Sequence, residues 1–240
     1  MNADARLAPV LPATLPLRRF GGERAIDLAA RLLLAAAFLL YGLPDFVKLA
    51  LLIDGLDLEQ LDADTLADML CDASLGLFVL LIAYLAMRRL KPIGKAAGLA
   101  PRLAALLGTV LPMMMVALPP DRALSLGGKF AASMLTFAGS LLAVAILMQL
   151  GRSFSITPQA RRLVTTGAYG MVRHPLYLAE FLASLGVLIR FLSPAAVLVL
   201  AVQLSFQLLR MRYEEAVLDR SFPDYAAYRR RTARLIPFIY

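Results

Sequence analysis

Residues 130–150 run for 21 positions without a charged side chain, and such a stretch leaves a chain few choices. At about 1.5 Å per residue a helix over it rises about 30 Å, enough to cross the hydrocarbon core of a bilayer unaided. The rest of the chain agrees. Of its 240 residues 60% are hydrophobic and 18% charged, and the mean hydropathy is +0.72. Soluble domains average roughly 45–50% and 25%. An integral, multi-pass membrane protein is the expected class. No G-x-G-x-x-G stands between a strand and a helix, so a Rossmann domain has no support.

Further apolar segments are predicted around this run. Residues 26–53 are interrupted by Pro44, Asp45 and Lys48; no small-residue cleavage site follows, so they read as a retained helix rather than a signal peptide. Two more cover residues 73–87 and 103–118. Two shorter runs, 176–189 and 195–209, are separated by a break at Pro194. At roughly 21–23 Å each they are short for a full span and fit best as a helical hairpin. The expected fold is all-α, a polytopic membrane helix bundle of about six segments with a C-terminal helical tail. It divides into an arm (1–24), a scaffold of four helices (25–150) with an external acidic loop at 54–72, and a C-terminal region (151–240) of loop, hairpin and tail.

Orientation follows from the basic residues. With the N-terminus inside, 20 of the 25 Lys and Arg fall on one side and three on the other. Basic loops are cytoplasmic, so the net charge of +8 reads as an orientation signal rather than a nucleic-acid surface. Both termini, the 151–175 loop and the tail are expected in the cytoplasm of a bacterial-type inner membrane. Residues 54–72 hold seven acids and no base. They read as a solvated external cap, with Leu58, Leu61, Thr65, Leu66 and Met69 at the spacing of a short amphipathic helix. One cysteine, Cys71, and one histidine, His174, are too few for a disulfide framework or a structural metal site.

That histidine lies in the stretch Thr-Thr-Gly-Ala-Tyr-Gly-Met-Val-Arg-His-Pro-Leu-Tyr at 165–177. Pro175 suits the first turn of a helix, where its missing N–H has no partner to lose. A helix beginning there points free N–H groups and a positive dipole end beside Arg173 and His174, a receptor for carboxylate or phosphate. A basic loop whose arginine touches lipid headgroups fits the same residues. In the tail, Arg210 and Glu214 are four apart, and Arg212 and Glu215 three apart, on a helix continuing from the last apolar run. Either pair is an ordinary surface ion pair or part of a site for a cationic ligand or sugar hydroxyls. Tyr225 and Tyr228 share a helical face, as interface anchors or as a wall for adenine. Glu180, Gln203, Ser205 and Gln207 put polar groups into apolar runs, where such groups usually face the bundle interior.

The pieces Leu163-Val-Thr-Thr-Gly-Ala-Tyr169, Arg173-His-Pro-Leu-Tyr177, Glu214-Glu215, Phe222-Pro-Asp-Tyr225 and Arg234-Leu-Ile-Pro237, in this order, make the C-terminal part resemble the isoprenylcysteine carboxyl methyltransferase and phospholipid methyltransferase family. The first ~125 residues match only as hydrophobic spans. The family often has proline where Ala168 stands and glycine where Ala179 stands. The resemblance implies a membrane enzyme that uses S-adenosyl-L-methionine without a Rossmann domain. Carried over, it makes Arg173, His174, Tyr177 and Glu215 cofactor residues, with Glu180 and Arg212 beside them and Glu214 and Arg210 as the catalytic pair. It implies a lipophilic or lipid-linked methyl acceptor entering from the bilayer, membrane lipids as neighbours, and neither metal nor nucleic acid. Two other readings stand beside it. One is an NADPH-dependent sterol-type reductase, whose C-terminal ends also resemble R-H-P-x-Y and the closing I-P-x-I-Y. The other is a non-catalytic, lipid-binding membrane subunit.

Overall fold

Most of the helices start where the sequence supplies a cap or a proline. The computed structural model describes residues 10–12, 20–55, 62–121 and 123–237. Helix α1 covers Phe20–Asp54 and helix α2 covers Ala63–Arg88; α2 opens on Asp62, whose side chain accepts the Thr65 N–H at 2.7 Å. Helix α3 is Ala100–Met115, and helix α4 is Leu126–Leu150, capped by Ser125. Helix α5, Pro175–Arg190, begins at the expected proline. Helix α6, Pro194–Ser221, begins at the next one, with Ser193 accepting the Ala196 N–H. A short α7, Tyr225–Arg231, closes the order. Asp27–Leu51, Ala63–Arg88, Leu126–Ser153 and Pro194–Ser221 are long and apolar enough to cross a membrane, while α3 and α5 have 16 residues each.

Several expectations need correction. The first segment is not interrupted: α1 runs through Pro44, and Lys48 reaches across to Asp72 of α2, Nζ to Oδ2 at 2.7 Å. The acidic stretch is not a separate cap helix over its described part. Its second half is the first turns of α2. Asp68 accepts both Nη1 and Nη2 of Arg190 at 2.5 and 2.9 Å and the Ser133 hydroxyl at 2.7 Å, so it fastens α2 to the ends of α4 and α5. Residues 56–61 and most of the N-terminal arm lie outside the described residues. Two parts of the arm are described: its last five residues are the start of α1, and Val10–Pro12 is strand β1 of a small antiparallel sheet, paired with β2 (Gly94–Ala96), which pairs in turn with β3 (Gln159–Ala160). The otherwise helical fold carries this sheet at the end holding the 165–177 stretch.

The hairpin is present, but its arms are held apart. Helix α5 packs chiefly on α4, and α6 chiefly on α3. Small residues explain the first pairing. A Cβ on Gly139 would run into the backbone N of Ala183, and one on Gly186 into Thr136 Oγ1 and the Ala132 carbonyl. Backbones this close gain dispersion contact in a medium that offers no hydrophobic drive between helices. Ala179, in the place of the family's glycine, is fully buried here and faces Gly139, so α4 supplies the glycine that permits close approach. Gly139→Leu is expected to push α5 off α4 and cost at least the upper end of ~1–3 kcal/mol for overpacking. Thermal unfolding in detergent measures this, and an unchanged midpoint would mean that the helices are not packed as described.

Candidate active site

The 165–177 stretch becomes one wall of a site because the tail returns to it. Gly167 adopts φ +62, a conformation side chains rarely tolerate. A Cβ there would meet Gln149 Oε1, the atom that accepts the Ala168 N–H at 2.9 Å. Past this turn, Arg173 N–H donates to the Ala233 carbonyl and His174 N–H to the Arg234 carbonyl, at 2.9 and 3.0 Å. The Tyr228 hydroxyl donates to the Tyr169 carbonyl at 2.7 Å. Loop and tail are thus joined by backbone as well as side chains.

Beneath this joint lies a cavity lined by Arg173, His174 and Tyr177 from the loop and α5, Arg210 and Glu214 from α6, Tyr225 and Tyr228 from α7, and Ser153, Phe154, Ser155 and Arg161 from the segment after α4. Glu214 Oε1 accepts the Tyr177 hydroxyl at 2.5 Å and Arg210 Nε at 3.1 Å. The Arg210 guanidinium lies over the Tyr177 ring at 4.8 Å, and the His174 and Tyr177 rings stack at 5.4 Å. Glu214 Oε2 stands 3.9 Å from His174 Nδ1 and accepts no hydrogen bond among the described residues. Of the two adjacent glutamates, this is the one open to the cavity.

Glu215 points elsewhere. Buried, it accepts Arg173 Nε at 2.8 Å and Arg234 Nε and Nη2 at 3.0 and 2.6 Å, with His174 Nε2 at 3.3 Å. Arg173 also donates Nη1 to the carbonyls of Arg229 and Thr232. Arg173 and Glu215 therefore clamp loop to tail, and Glu215 does not line the cavity. Arg212 is exposed, on a shallow groove with Glu215 and Arg229 on the opposite side of α6. Glu180 accepts the Gln207 side-chain amide at 3.2 Å and lines a second, largely apolar cavity among α1 to α6, with Phe38, Phe78, Met113, Gln203 and Arg210. Phe154 and Arg210 line both cavities.

Sequence reasoning missed Arg161, Ser153 and Ser155, and it gave the tyrosines a choice that burial resolves. Tyr225 and Tyr228 are 0% and 3% exposed, inside rather than at an interface. Burial pushes both hydroxyls up, Tyr228 to about 12, so they are donors at neutral pH. The Tyr225 hydroxyl, both serine hydroxyls, and Nε and Nη1 of Arg161 are buried without a hydrogen-bond partner among the described residues. Buried polar groups left so usually await a ligand or water. A ligand with a carboxylate, ribose hydroxyls and a purine fits this set: cation, hydroxyls, aromatic faces and one acid. Among the described residues, no group of three or more His, Cys, Asp and Glu could hold a metal ion.

Residues 128–225 match the family model described as phospholipid methyltransferase. Among curated relatives, the chain is 40% identical over 81 residues to the nickel-cobalt-cadmium resistance protein NccN of Alcaligenes xylosoxydans xylosoxydans, covering 33% of this chain and 38% of that one. It is 40% identical over 77 residues to the cobalt-zinc-cadmium resistance protein CzcN of Cupriavidus metallidurans, covering 31% and 35%. It is 32% identical over 108 residues to protein-S-isoprenylcysteine O-methyltransferase B of Arabidopsis thaliana, covering 42% and 55%. The chain thus spans between about a third and about half the length of these relatives.

Proposed function

We propose that this chain is an S-adenosylmethionine-dependent methyltransferase acting on a lipophilic or lipid-linked acceptor. The observation that carries the reading is the pair of cavities meeting at Arg210 and Phe154, polar under the loop and apolar within the bundle. The polar one suits a charged nucleoside cofactor at the cytoplasmic end that the positive-inside count assigns to the loop. The apolar one suits an acceptor drawn from the bilayer.

When bound, the cofactor supplies an electrophilic methyl group carried on a sulfonium. Methyl transfer is a displacement at carbon, so most of the protein's work is alignment and exclusion of water. His174, Tyr177, Tyr225 and Tyr228 wall the cofactor, with Arg173 held in place by Glu215. Glu214, fixed through Oε1 by Tyr177 and Arg210, keeps Oε2 for a hydroxyl or a cation. For an amine or thiol acceptor it is also the group positioned to take a proton; a carboxylate acceptor needs none.

Calorimetric titration of the full chain in detergent tests the reading. S-adenosylhomocysteine is expected to bind with micromolar affinity, and Tyr177→Ala to weaken it at least tenfold, the loss of one buried aromatic contact and its hydrogen bond to Glu214. NADPH binding in place of S-adenosylhomocysteine would decide for the sterol-type reductase.

A further inference from the structure

We propose that Arg161 is the receptor for the carboxylate of the bound cofactor, the role that the sequence suggested for Arg173 and the start of α5. The assignment rests on the methyltransferase reading and names a residue that the family motif does not contain.

The cavity has four arginines on its lining. Arg173 is bound to Glu215, Arg210 is bound to Glu214, and Arg162 is exposed. Arg161 is 7% exposed and forms no salt bridge among the described residues. It follows β3 directly, and the Ile93 N–H fixes the Ala160 carbonyl at 2.8 Å, so its backbone is held by the small sheet. Its Nη2 donates to Gln159 Oε1 at 2.5 Å, while Nε and Nη1 have no hydrogen-bond partner among the described residues. Each is a single donor left for an anion, Nη1 on the outer edge of the guanidinium and Nε on the edge it shares with Nη2.

The surroundings add to the demand for an anion. Burial, and then the charges of Arg89 and Arg31, push the Arg161 guanidinium down to about 10. Asp27, the carboxylate whose charge acts on Arg161, is already engaged by Arg31 Nε at 2.8 Å and Arg89 Nη2 at 3.3 Å. Three basic side chains therefore share one acid. A buried, unpaired guanidinium is costly unless something completes it. A carboxylate in the cavity does so, and the amino-acid end of the cofactor carries one. An anionic lipid headgroup shares the chemistry.

The test compares ligands as well as variants. S-adenosylhomocysteine and 5′-methylthioadenosine, which keeps the nucleoside and thioether but lacks the amino-acid end, are titrated calorimetrically into the full chain in neutral lipid nanodiscs. Wild type is expected to bind the first at least tenfold more tightly. Arg161→Gln should remove that advantage while changing 5′-methylthioadenosine affinity less than about twofold, and Arg161→Lys should keep part of it. Should Arg161→Gln not fold, Arg161→Lys and decarboxylated S-adenosylhomocysteine on wild type carry the same comparison. A variant that weakens both ligands alike makes Arg161 structural and overturns the proposal. So does an S-adenosylhomocysteine affinity that falls in phosphatidylglycerol nanodiscs only when Arg161 is present, which gives the site to a lipid phosphate. If wild type binds 5′-methylthioadenosine as well as S-adenosylhomocysteine, the carboxylate assignment fails and the methyltransferase reading stands. If it binds neither, both fall.

Discussion

Replacing Glu215 with alanine is expected to destabilise the protein by about 3–5 kcal/mol, the usual result of removing one partner from a buried ionic cluster. Glu215 is the acid on which Arg173, Arg234 and His174 converge, at 2.6 to 3.3 Å. Without it, Arg173 keeps the Arg229 and Thr232 carbonyls but loses its charge partner in a site where its own side chain is 11% exposed. Loop and tail are then joined by hydrogen bonds: the two backbone bonds from 173 and 174, those Arg173 bonds and the Tyr228 hydroxyl on the Tyr169 carbonyl. Glu215→Gln keeps the volume and one acceptor oxygen, so its cost should be smaller and in the same direction. Thermal unfolding in detergent gives the stability. Because the cluster also closes the cavity wall, S-adenosylhomocysteine affinity should fall in parallel with it. A Glu215→Ala protein melting with wild type would mean that the cluster is solvated and holds nothing.

What the sequence made legible were features set by neighbours in the chain. Pro175 and Pro194 mark helix starts because a proline there loses no hydrogen bond. The Arg210–Glu214 pair forms because residues four apart on a helix are adjacent. Helix α6 runs on through the charged tail because no proline or glycine interrupts it between 195 and 221. What could not be read were choices among distant partners. Arg173 and Glu215 are 42 residues apart, and nothing local says that Arg173 takes Glu215 while Tyr177 takes Glu214. The acids at 68 and 72 look like surface charge until Arg190 and Lys48 arrive from other helices. Arg161 and Arg162 are equivalent as letters. The first is buried and the second exposed just past β3, a choice made by the surrounding fold and not by their neighbours in the chain.

Glu214→Gln is expected to lower methyl transfer about 10²- to 10³-fold while leaving stability within about 1 kcal/mol of wild type. Its Oε1 keeps an acceptor for Tyr177 and Arg210, so the network survives in outline. What disappears is the negative charge that the open oxygen presents to the cavity. Arg210→Met should behave differently. It removes the cation lying over the Tyr177 ring, at the junction of the two cavities, and leaves Glu214 without its charge partner, costing both activity and stability. The double variant separates the two effects. With both charges gone and the volume roughly kept, stability should recover toward wild type, because matched removal of a buried pair is often close to neutral. Activity should not recover, because neither the charge nor the alignment has returned. The measurement is mass-spectrometric detection of labelled methyl groups in a lipid extract incubated with protein and methyl-labelled S-adenosylmethionine, alongside melting curves for all four proteins. If Glu214→Gln stays within threefold of wild type, the carboxylate is a strut for Tyr177 and Arg210 rather than a participant. If the double variant regains activity with stability, the Arg210–Glu214 pair shapes the junction of the cavities and takes no part in the chemistry.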